Sequence, residues 1–566
     1  MTALGTTKND TPAARGFRLR LDPWAAGAVV IAVLVALPVV TVVVMAMFPT
    51  ENIWPHLLDT VLPGYVINTL ELMAGVALGT ILIGVTAAWL ITMCEFPGRR
   101  IFEWALVLPL AMPAYVVAYV YTDILEFAGP VQGLLRDLTG WNTGRDYWFP
   151  EIRSLGGAIT IMTMALYPYV YLLARSAFLE QSSGVGEAAR TLGCSAWAAF
   201  RRVSLPMARP SIVVGVALVL METLNDFGTV EFFAVETLTT GMFNVWLVMG
   251  NTGGGAQIAV VMLLFVIGLL IAERTARRRR GYHDTSTRPG RALRYKLSTG
   301  RRIAAVLVCA APIVVGFVVP AGLLISYAIE FYDVSMENRF PQAAANSIML
   351  AGLAAGIAAM VGLFLAYAVR MRKSRALTLL ARFASLGYAV PGAVLAIGIL
   401  FPFGLFDNAL DRFMRDTFGV STGLLLSGTI AALLFAYVVR FLALAYGTLE
   451  AGLGRVTPHM DDAARTLKHG PAKALIKVNL PIIRGSIMTA AILIFVDSMK
   501  ELPATLLLRP FNFDTLATYV YQFASDELLE ECALGALTIV AAGVIPVILL
   551  TRVMSRRRPD QEISVV

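Results

Sequence analysis

Residues 187–206 begin with Glu187-Ala188-Ala189-Arg190-Thr191-Leu192 and end with Val203-Ser204-Leu205-Pro206. The same pattern returns 275 positions later, from Asp462-Ala463-Ala464-Arg465-Thr466-Leu467 to Val478-Asn479-Leu480-Pro481. A pattern that recurs over this length at a fixed offset indicates an internal duplication, which sets the organisation of the whole chain.

The duplication extends upstream of this segment. Asn68 pairs with Asn346, and Pro113 pairs with Pro391, both at an offset of 278. The three-residue change of offset predicts a length difference between the halves, most simply in the loop at 126–154. Parallel repeats in a membrane are related by an axis along the membrane normal, and we expect a pathway between them.

The composition indicates a polytopic membrane protein. The chain has 566 residues, of which 57% are apolar and 15% charged, and its mean hydropathy is +0.71. This balance excludes an ordinary cytosolic enzyme, a disordered protein and a secreted disulfide scaffold. The four cysteines form no CxxC pair, and the four histidines are scattered without metal-ligand spacing. We therefore expect no structural zinc or iron–sulfur site.

Apolar windows give the number of membrane spans. A bilayer core needs about 20 apolar residues per helix. The prediction is an all-α polytopic membrane protein with about twelve transmembrane helices in two homologous six-helix halves. The windows lie near 25–48, 67–92, 103–125, 155–174, 210–232, 256–272, 304–328, 346–369, 377–403, 422–439, 486–504 and 532–551.

The basic residues predict the orientation. With the N-terminus in the cytoplasm, all but eight of the 46 Lys and Arg residues lie on the cytoplasmic side, including those of segment 440–484. By the positive-inside rule, both termini are then expected in the cytoplasm. The eight outer residues are Arg136, Arg145, Arg153, Arg339, Arg412, Arg415, Lys500 and Arg509.

The most basic stretch lies midway along the chain, between Arg274 and Arg302. It predicts a cytoplasmic linker at 273–303 between a first half at 1–272 and a second half at 304–566. Contact with anionic lipid headgroups is expected there. We expect no nucleic-acid binding, because no aromatic residues interleave with the basic run and no binding fold surrounds it.

The repeated segment is predicted to form short helices outside the membrane, because it is too long for a turn and rich in helix-forming residues. The pattern E-A-A-x-x-L-G followed by V-x-L-P resembles the EAA loop of permease subunits of bacterial ABC importers that use a soluble binding protein. In that family the loop forms coupling helices that dock on the ATPase subunits. The resemblance implies this role for Glu187, Ala188, Gly193, Asp462, Ala463 and Gly470.

The second copy departs from the pattern, since it has Asp462 in place of Glu and Lys468 at the Gly position. The fused double-length arrangement and the segments 226–233 and 500–510 resemble the iron(III) permeases of this superfamily. Thiamine and phosphonate permeases share the fused arrangement, so these cargoes stay open.

The resemblance implies a type I ABC importer permease in the bacterial inner membrane. It also implies two partners, a dimer of ATPase subunits and a periplasmic iron(III)-binding protein. The sequence contains no G-x-x-x-x-G-K-[ST] phosphate loop. We therefore expect a transport permease with no enzymatic activity and no bound cofactor, and ATP is expected to be used by the partner subunit.

Two pairs of acids interrupt the fifth and eleventh spans. Glu222 and Asp226 lie four residues apart, and so do Asp497 and Glu501, at an offset of 275. Glu222 is about 12 residues into its span, or roughly 18 Å at 1.5 Å per residue, which is near mid-membrane. Each acid there costs roughly 2.5–3.5 kcal/mol before compensation, so each needs a cavity, a partner or an ion.

Two interpretations of these acids stay open. They cap helices broken at Gly228 and Pro503 or pair with Lys500, because intramembrane breaks need polar partners. Alternatively, some line the translocation pathway and offer transient carboxylate oxygens to a hard trivalent cation. In neither case do we predict a resident metal site.

Three further features have competing interpretations. The outer-loop residues Arg136, Arg145 and Arg153 either meet an acidic lobe of a binding protein or are solvated. Met221, Met242 and Met499 are expected to pack between helices. An ion-coupled secondary transporter would use the acids as proton relays, but it leaves the paired loops without a role, and an integral-membrane enzyme lacks any catalytic cluster.

Overall fold

The computed structural model describes residues 23–181, 195–278, 295–337, 339–372, 374–466 and 470–556. These residues are almost entirely helical, which confirms the predicted all-α class. The described strands are Cys94–Glu95 (β1) and Tyr295–Lys296 (β2), which pair in parallel. This pairing joins the chain just before the second half to the first half.

The helices of the first half begin after residue 22. They are Pro23–Met47 (α1), Trp54–Asp59 (α2), Leu62–Met93 (α3), Arg99–Ala105 (α4), Ala114–Leu125 (α5), Pro130–Thr139 (α6), Leu155–Glu180 (α7), Ala196–Ala199 (α8), Leu205–Asn225 (α9), Gly228–Phe232 (α10), Leu238–Phe243 (α11) and Thr252–Arg278 (α12).

The helices of the second half follow β2. They are Thr299–Ile313 (α13), Val319–Glu330 (α14), Tyr332–Glu337 (α15), Phe340–Arg372 (α16), Arg375–Ala384 (α17), Gly392–Phe418 (α18), Ile430–Leu453 (α19), Pro458–Thr466 (α20), Pro471–Ala474 (α21), Leu480–Met499 (α22), Pro503–Leu508 (α23), Leu516–Ser525 (α24) and Leu529–Arg556 (α25). Short 3-10 turns lie at Leu108–Ala111 and Ser385–Ala389, and π-helical turns at Phe200–Ser204, Asn244–Val248, Val314–Val318 and Leu475–Asn479.

The duplication is visible in the helix starts. Helices α3 and α16 begin 278 residues apart, as do α5 and α18, whereas α7 and α19 begin 275 residues apart. The three extra residues of the first half therefore lie between Ala114 and Leu155, as predicted. Asn68 donates to the Glu236 carbonyl at 2.8 Å, and its repeat equivalent Asn346 donates to the Asp514 carbonyl at 2.9 Å.

Within the described residues, eleven helices are long and apolar enough to cross a membrane, and a bent helix pair is a twelfth candidate. This agrees with the predicted number of spans, but several predicted spans are not single helices. The predicted span 103–125 contains a 90° bend, because Pro109 and Pro113 lie in the break and lack a backbone N–H. The predicted span 377–403 is likewise broken before Pro391.

Three other predicted spans end at different positions. The fifth, predicted at 210–232, stops at Asn225, and the eleventh, predicted at 486–504, stops at Met499. The tenth, predicted at 422–439, is the helix Ile430–Leu453. Its position was wrong because the prediction ended the span at a charged residue that the helix includes.

Small residues allow the long helices of each half to pack closely. A Cβ atom on Gly84 of α3 would lie 2.9 Å from the Tyr171 backbone nitrogen of α7. At the equivalent place in the second half, a Cβ on Gly362 of α16 would lie 3.0 Å from the Tyr446 nitrogen of α19. Both helix pairs therefore approach to backbone contact at repeat-related positions.

The first helix of each half packs against the other half. Helix α1 contacts α18, where Gly398 meets the backbone of Pro38. Helices α13 and α14 flank a π-helical turn that packs on the first half, where the Tyr121 hydroxyl donates to the Val315 carbonyl at 2.8 Å. The two halves thus exchange their first helices.

We predict that Gly84→Val lowers the free energy of unfolding by about 1–3 kcal/mol, because the added methyl groups force α3 and α7 apart. Thermal unfolding of the detergent-solubilised protein measures the change. The matched control is Gly268→Val on α12, where a Cβ meets nothing within 4 Å. Equal stability of the two variants would contradict the close packing.

Candidate functional site

Two repeat-related helix breaks form the centre of the site. Helix α9 ends at Asn225 and α10 begins at Gly228, while α22 ends at Met499 and α23 begins at Pro503. Each break leaves backbone N–H groups without helical partners. In a membrane these groups need a partner within the protein.

Carboxylates from the two acid pairs satisfy these N–H groups. Asp226 accepts from the backbone N–H groups of Thr229 at 2.9 Å and Val230 at 3.3 Å, and from the Thr229 hydroxyl at 3.0 Å. Glu501 accepts from the Ala504 N–H at 3.2 Å. One acid of each pair therefore caps the short helix that follows its break.

A buried polar network joins the two halves at this level. The side-chain oxygen of Asn225 accepts from the Gly392 backbone N–H at 2.7 Å and from the Arg440 guanidinium at 3.1 Å. Arg440 also forms an ion pair with Glu501, at 3.2 Å between Nε and Oε2. Asn225, Arg440 and Glu501 are 9%, 4% and 5% exposed. A residue of the first half thus holds a backbone and a cation of the second.

The sequence-based interpretation missed Arg440. It counted Arg440 as the first residue of the cytoplasmic segment 440–484, but the structure places this residue inside α19. The assignment was wrong because charge alone was taken to end the span. The apolar sequence continues from Phe441 to Tyr446, and this continuation, together with an excess of nearby acids, was the available signal.

The other acid of each pair has a different kind of partner. Glu222 accepts a hydrogen bond from the Tyr388 hydroxyl at 2.8 Å, which again crosses between the halves. Asp497 pairs with Lys500, at 3.0 Å between Oδ1 and Nζ. The Lys500 and Asp497 side chains are 27% and 23% exposed, so this pair is more accessible than the Arg440–Glu501 pair.

A cavity of about 110 Å³ lies between the halves at the breaks. All four acids, both cations and three tyrosines contribute to its wall, so the structure brings the predicted pathway residues into one place. In the described residues the ionised carboxylates at this wall outnumber the cations by two. The charged and phenolic residues are Tyr115, Tyr169, Glu222, Asp226, Tyr388, Arg440, Asp497, Lys500 and Glu501.

The cavity departs from the repeat symmetry. Arg440 corresponds to Ala165, Lys500 to Asn225 and Tyr388 to Leu110 at the established offsets. The acids are paired by the repeat, whereas both cations belong to the second half. The duplication therefore supplies a symmetric set of carboxylates with an asymmetric set of partners.

The methionines and the candidate metal ligands give little to this site. Met242 and Met499 are buried in hydrophobic clusters and do not line the cavity. Among the described residues, no group of three or more His, Cys, Asp or Glu side chains is placed to hold a metal ion.

The two repeated segments are described to different extents. Glu187, Ala188 and Gly193 lie outside the described residues. In the second copy, Asp462 and Ala463 are exposed on α20, and Gly470 precedes α21.

The second-copy segment is fastened to the membrane-spanning helices. Arg370, near the end of α16, pairs with Asp461 of α20 at 2.7 Å and donates to the Leu453 and Val456 carbonyls. The Tyr367 hydroxyl donates to the Pro471 carbonyl at 2.8 Å. Helix α20 is therefore attached to the end of α16 opposite the Asn346 contact.

The outer-loop arginines make contacts within the chain. Arg153 pairs with Glu126 and with Glu527 of the second half, where the latter distance is 2.9 Å. Arg136 lies over the Phe127 ring at 4.2 Å. For these two residues the structure provides partners other than solvent.

Comparison with known proteins gives the same two-part pattern. Residues 80–281 and 358–558 match the model of one family, described as binding-protein-dependent transport system inner membrane component. Each matched region covers most of one predicted half.

Several characterised relatives are similar to this chain. The Fe(3+)-transport system permease protein FbpB 2 of Haemophilus influenzae is 27% identical, covering 86% of this chain and 89% of the relative. The ferric transport system permease protein FbpB of Actinobacillus pleuropneumoniae is 21% identical, covering 89% and 74%. The molybdenum transport system permease protein ModB of Escherichia coli is 29% identical, covering 34% of this chain and 84% of the relative.

We predict that Arg440→Met lowers the free energy of unfolding by about 3–5 kcal/mol, because Glu501 is left buried without its cation. Adding Glu501→Gln to Arg440→Met should recover much of this loss, since no uncompensated charge then remains. Thermal unfolding of the purified protein measures both changes.

The control for this prediction is Arg455→Met, at an exposed arginine just beyond the same helix. It should change stability by less than about 0.5 kcal/mol. If Arg440→Met is as stable as the wild type, the network does not hold the halves together.

Proposed function

The chain belongs to the family of binding-protein-dependent transport system inner membrane components, and from this premise we propose that it imports iron(III) as the permease of an ABC transporter. A transport permease has no enzymatic reaction of its own, and ATP hydrolysis is assigned to separate subunits. The observation that carries the proposal is the acid-rich cavity at the junction of two family-matched halves.

We propose that one chain supplies both membrane-spanning halves of the transporter. The matched regions and the repeated helix starts support this division into 1–272, 273–303 and 304–566. The first boundary lies inside α12, which continues to Arg278. The basic linker then lies on the cytoplasmic side with both termini, in agreement with the distribution of Lys and Arg.

We propose that the repeated segments bind a dimer of ATPase subunits. The exposed face of α20 offers a small residue, Ala463, that a partner helix or groove can approach closely. The ties from Arg370 to Asp461 and to Leu453 would transmit a movement of this segment into α16 and α19. The first copy, with Glu187, Ala188 and Gly193, is assigned the same role.

The cargo is proposed to be iron(III), delivered by a periplasmic binding protein. Two relatives that cover most of the chain are named as Fe(3+) and ferric permeases. The cavity wall supports a cation, because its carboxylates outnumber its cations by two, and hard cations prefer oxygen ligands. This charge opposes an oxyanion such as molybdate, the cargo named for a relative that matches 34% of the chain.

The proposed mechanism is alternating access. Closure of the ATP-bound ATPases would move the repeated segments and rock the two halves. Separation at the cavity would break the contacts of Asn225 with Gly392 and Arg440, which cross between the halves. Their loss opens the pathway, and their return closes it behind the cargo.

We predict ATP-dependent uptake of iron(III) by proteoliposomes that hold the permease with its ATPase subunits, when the binding protein supplies the metal. Radiolabelled iron measures the uptake, and thiamine and molybdate are the competing cargoes. Uptake should persist when an uncoupler collapses the proton gradient. Loss of uptake with the uncoupler at constant ATP would instead indicate a secondary transporter, and uptake of thiamine alone would reject the iron assignment.

The proposed ATPase contact gives a separate prediction. Ala463→Arg should lower both ATPase co-purification and ATP-driven uptake at least about tenfold, because a long cation enters a close interface. Ala409→Arg is the matched control, at an exposed alanine of α18, and should leave both unchanged. Normal uptake by the Ala463 variant would show that this face of α20 does not contact the ATPase.

A further inference from the structure

The two cations of the cavity wall are held in different ways. Arg440 is fixed across the halves by Asn225 and Glu501, and its side chain is 5% exposed. Lys500 has a printed partner on its own helix end, Asp497, and its side chain is 27% exposed. An ammonium on a flexible stem with one exposed partner can leave it at lower cost than a buried guanidinium can.

A tyrosine faces the cavity with an unused polar group. The Tyr115 hydroxyl is buried and has no hydrogen-bond partner among the described residues, and the residue is 4% exposed. Tyr115 lines the cavity beside Gly228, where a Cβ would lie 2.8 Å from the Tyr115 Cβ. A buried hydroxyl without a partner is costly, so its position at the cavity indicates a ligand that arrives there.

We propose that the Lys500 ammonium is a tethered stand-in for the cargo, holding Asp497 until a hard multivalent cation displaces it and reaches the carboxylates and the Tyr115 hydroxyl. This inference rests on the proposed import of iron(III). When the halves rearrange, the ammonium returns to Asp497 and competes with the metal. The pathway then binds its cargo weakly enough to release it, as a conducting site must.

The repeat supports a specific role for this lysine. The equivalent residue of the first half is Asn225, which is neutral and holds Gly392 and Arg440 across the interface. The acids at the two breaks are retained in both halves, whereas a cation stands at this position in the second half alone. One half therefore secures the interface, and the other carries the displaceable charge.

The test compares metal retention by the purified complex of permease and ATPase. Gallium(III) citrate, a redox-inert trivalent probe, is equilibrated with the complex, and the bound metal is followed after rapid desalting. Lys500→Met should retain gallium at least about tenfold longer than the wild type, because the competing charge is gone, and it should import iron(III) more slowly. Lys500→Arg keeps the charge and should release the metal as the wild type does.

A second change tests the tyrosine. Tyr115→Phe in the Lys500→Met background removes only the hydroxyl and should shorten retention several-fold. If the Lys500→Met complex does not assemble, Tyr115→Phe alone decides, because it should slow iron(III) uptake several-fold, and uptake at the wild-type rate would overturn the proposal.

The outcomes separate this inference from the proposed function. Iron(III) uptake by the wild type, with no longer gallium retention in Lys500→Met, would overturn the stand-in role and leave the transport function intact. Absence of iron(III) uptake by the wild-type complex would overturn both.

Discussion

The structure depends on the need to satisfy backbone N–H groups where membrane helices break. Water is absent from the hydrocarbon core, so each free group needs a partner within the protein. Asp226 and Glu501 supply these partners at repeat-related breaks. Their charges then require compensation, which Arg440 gives to Glu501 across the buried interface. The cavity and its acidity follow from this one requirement.

Duplication and fusion explain why the site is both regular and uneven. The repeat sets the same helix packing in each half, including the contacts at Gly84 and Gly362. Because both halves lie in one chain, each can change without its counterpart. The changes occur at the centre, where Arg440 stands opposite Ala165 in the repeat. A symmetric scaffold thereby carries an asymmetric pathway.

The sequence was informative where a regular pattern repeats and less so where tertiary contacts decide. Hydropathy and the fixed offset predicted the all-α fold, the number of spans and the position of the three-residue difference. The offset also identified Glu222, Asp226, Asp497 and Glu501 as one group. It could not identify Arg440 as an internal residue, because a hydropathy window penalises a charge whose distant partner, Glu501, is unknown to it. The bend near Pro113 was missed for a similar reason: proline in a membrane helix has several outcomes.

The exchange of first helices has a consequence for biogenesis. Helix α1 leaves the ribosome hundreds of residues before α18, the helix of the second half that it packs against. During that interval its inner face must rest against lipid or a provisional neighbour. Completion of the fold therefore waits for late synthesis, and the first half cannot reach its final packing alone. Joining the halves covalently ensures that the awaited surface belongs to the same molecule.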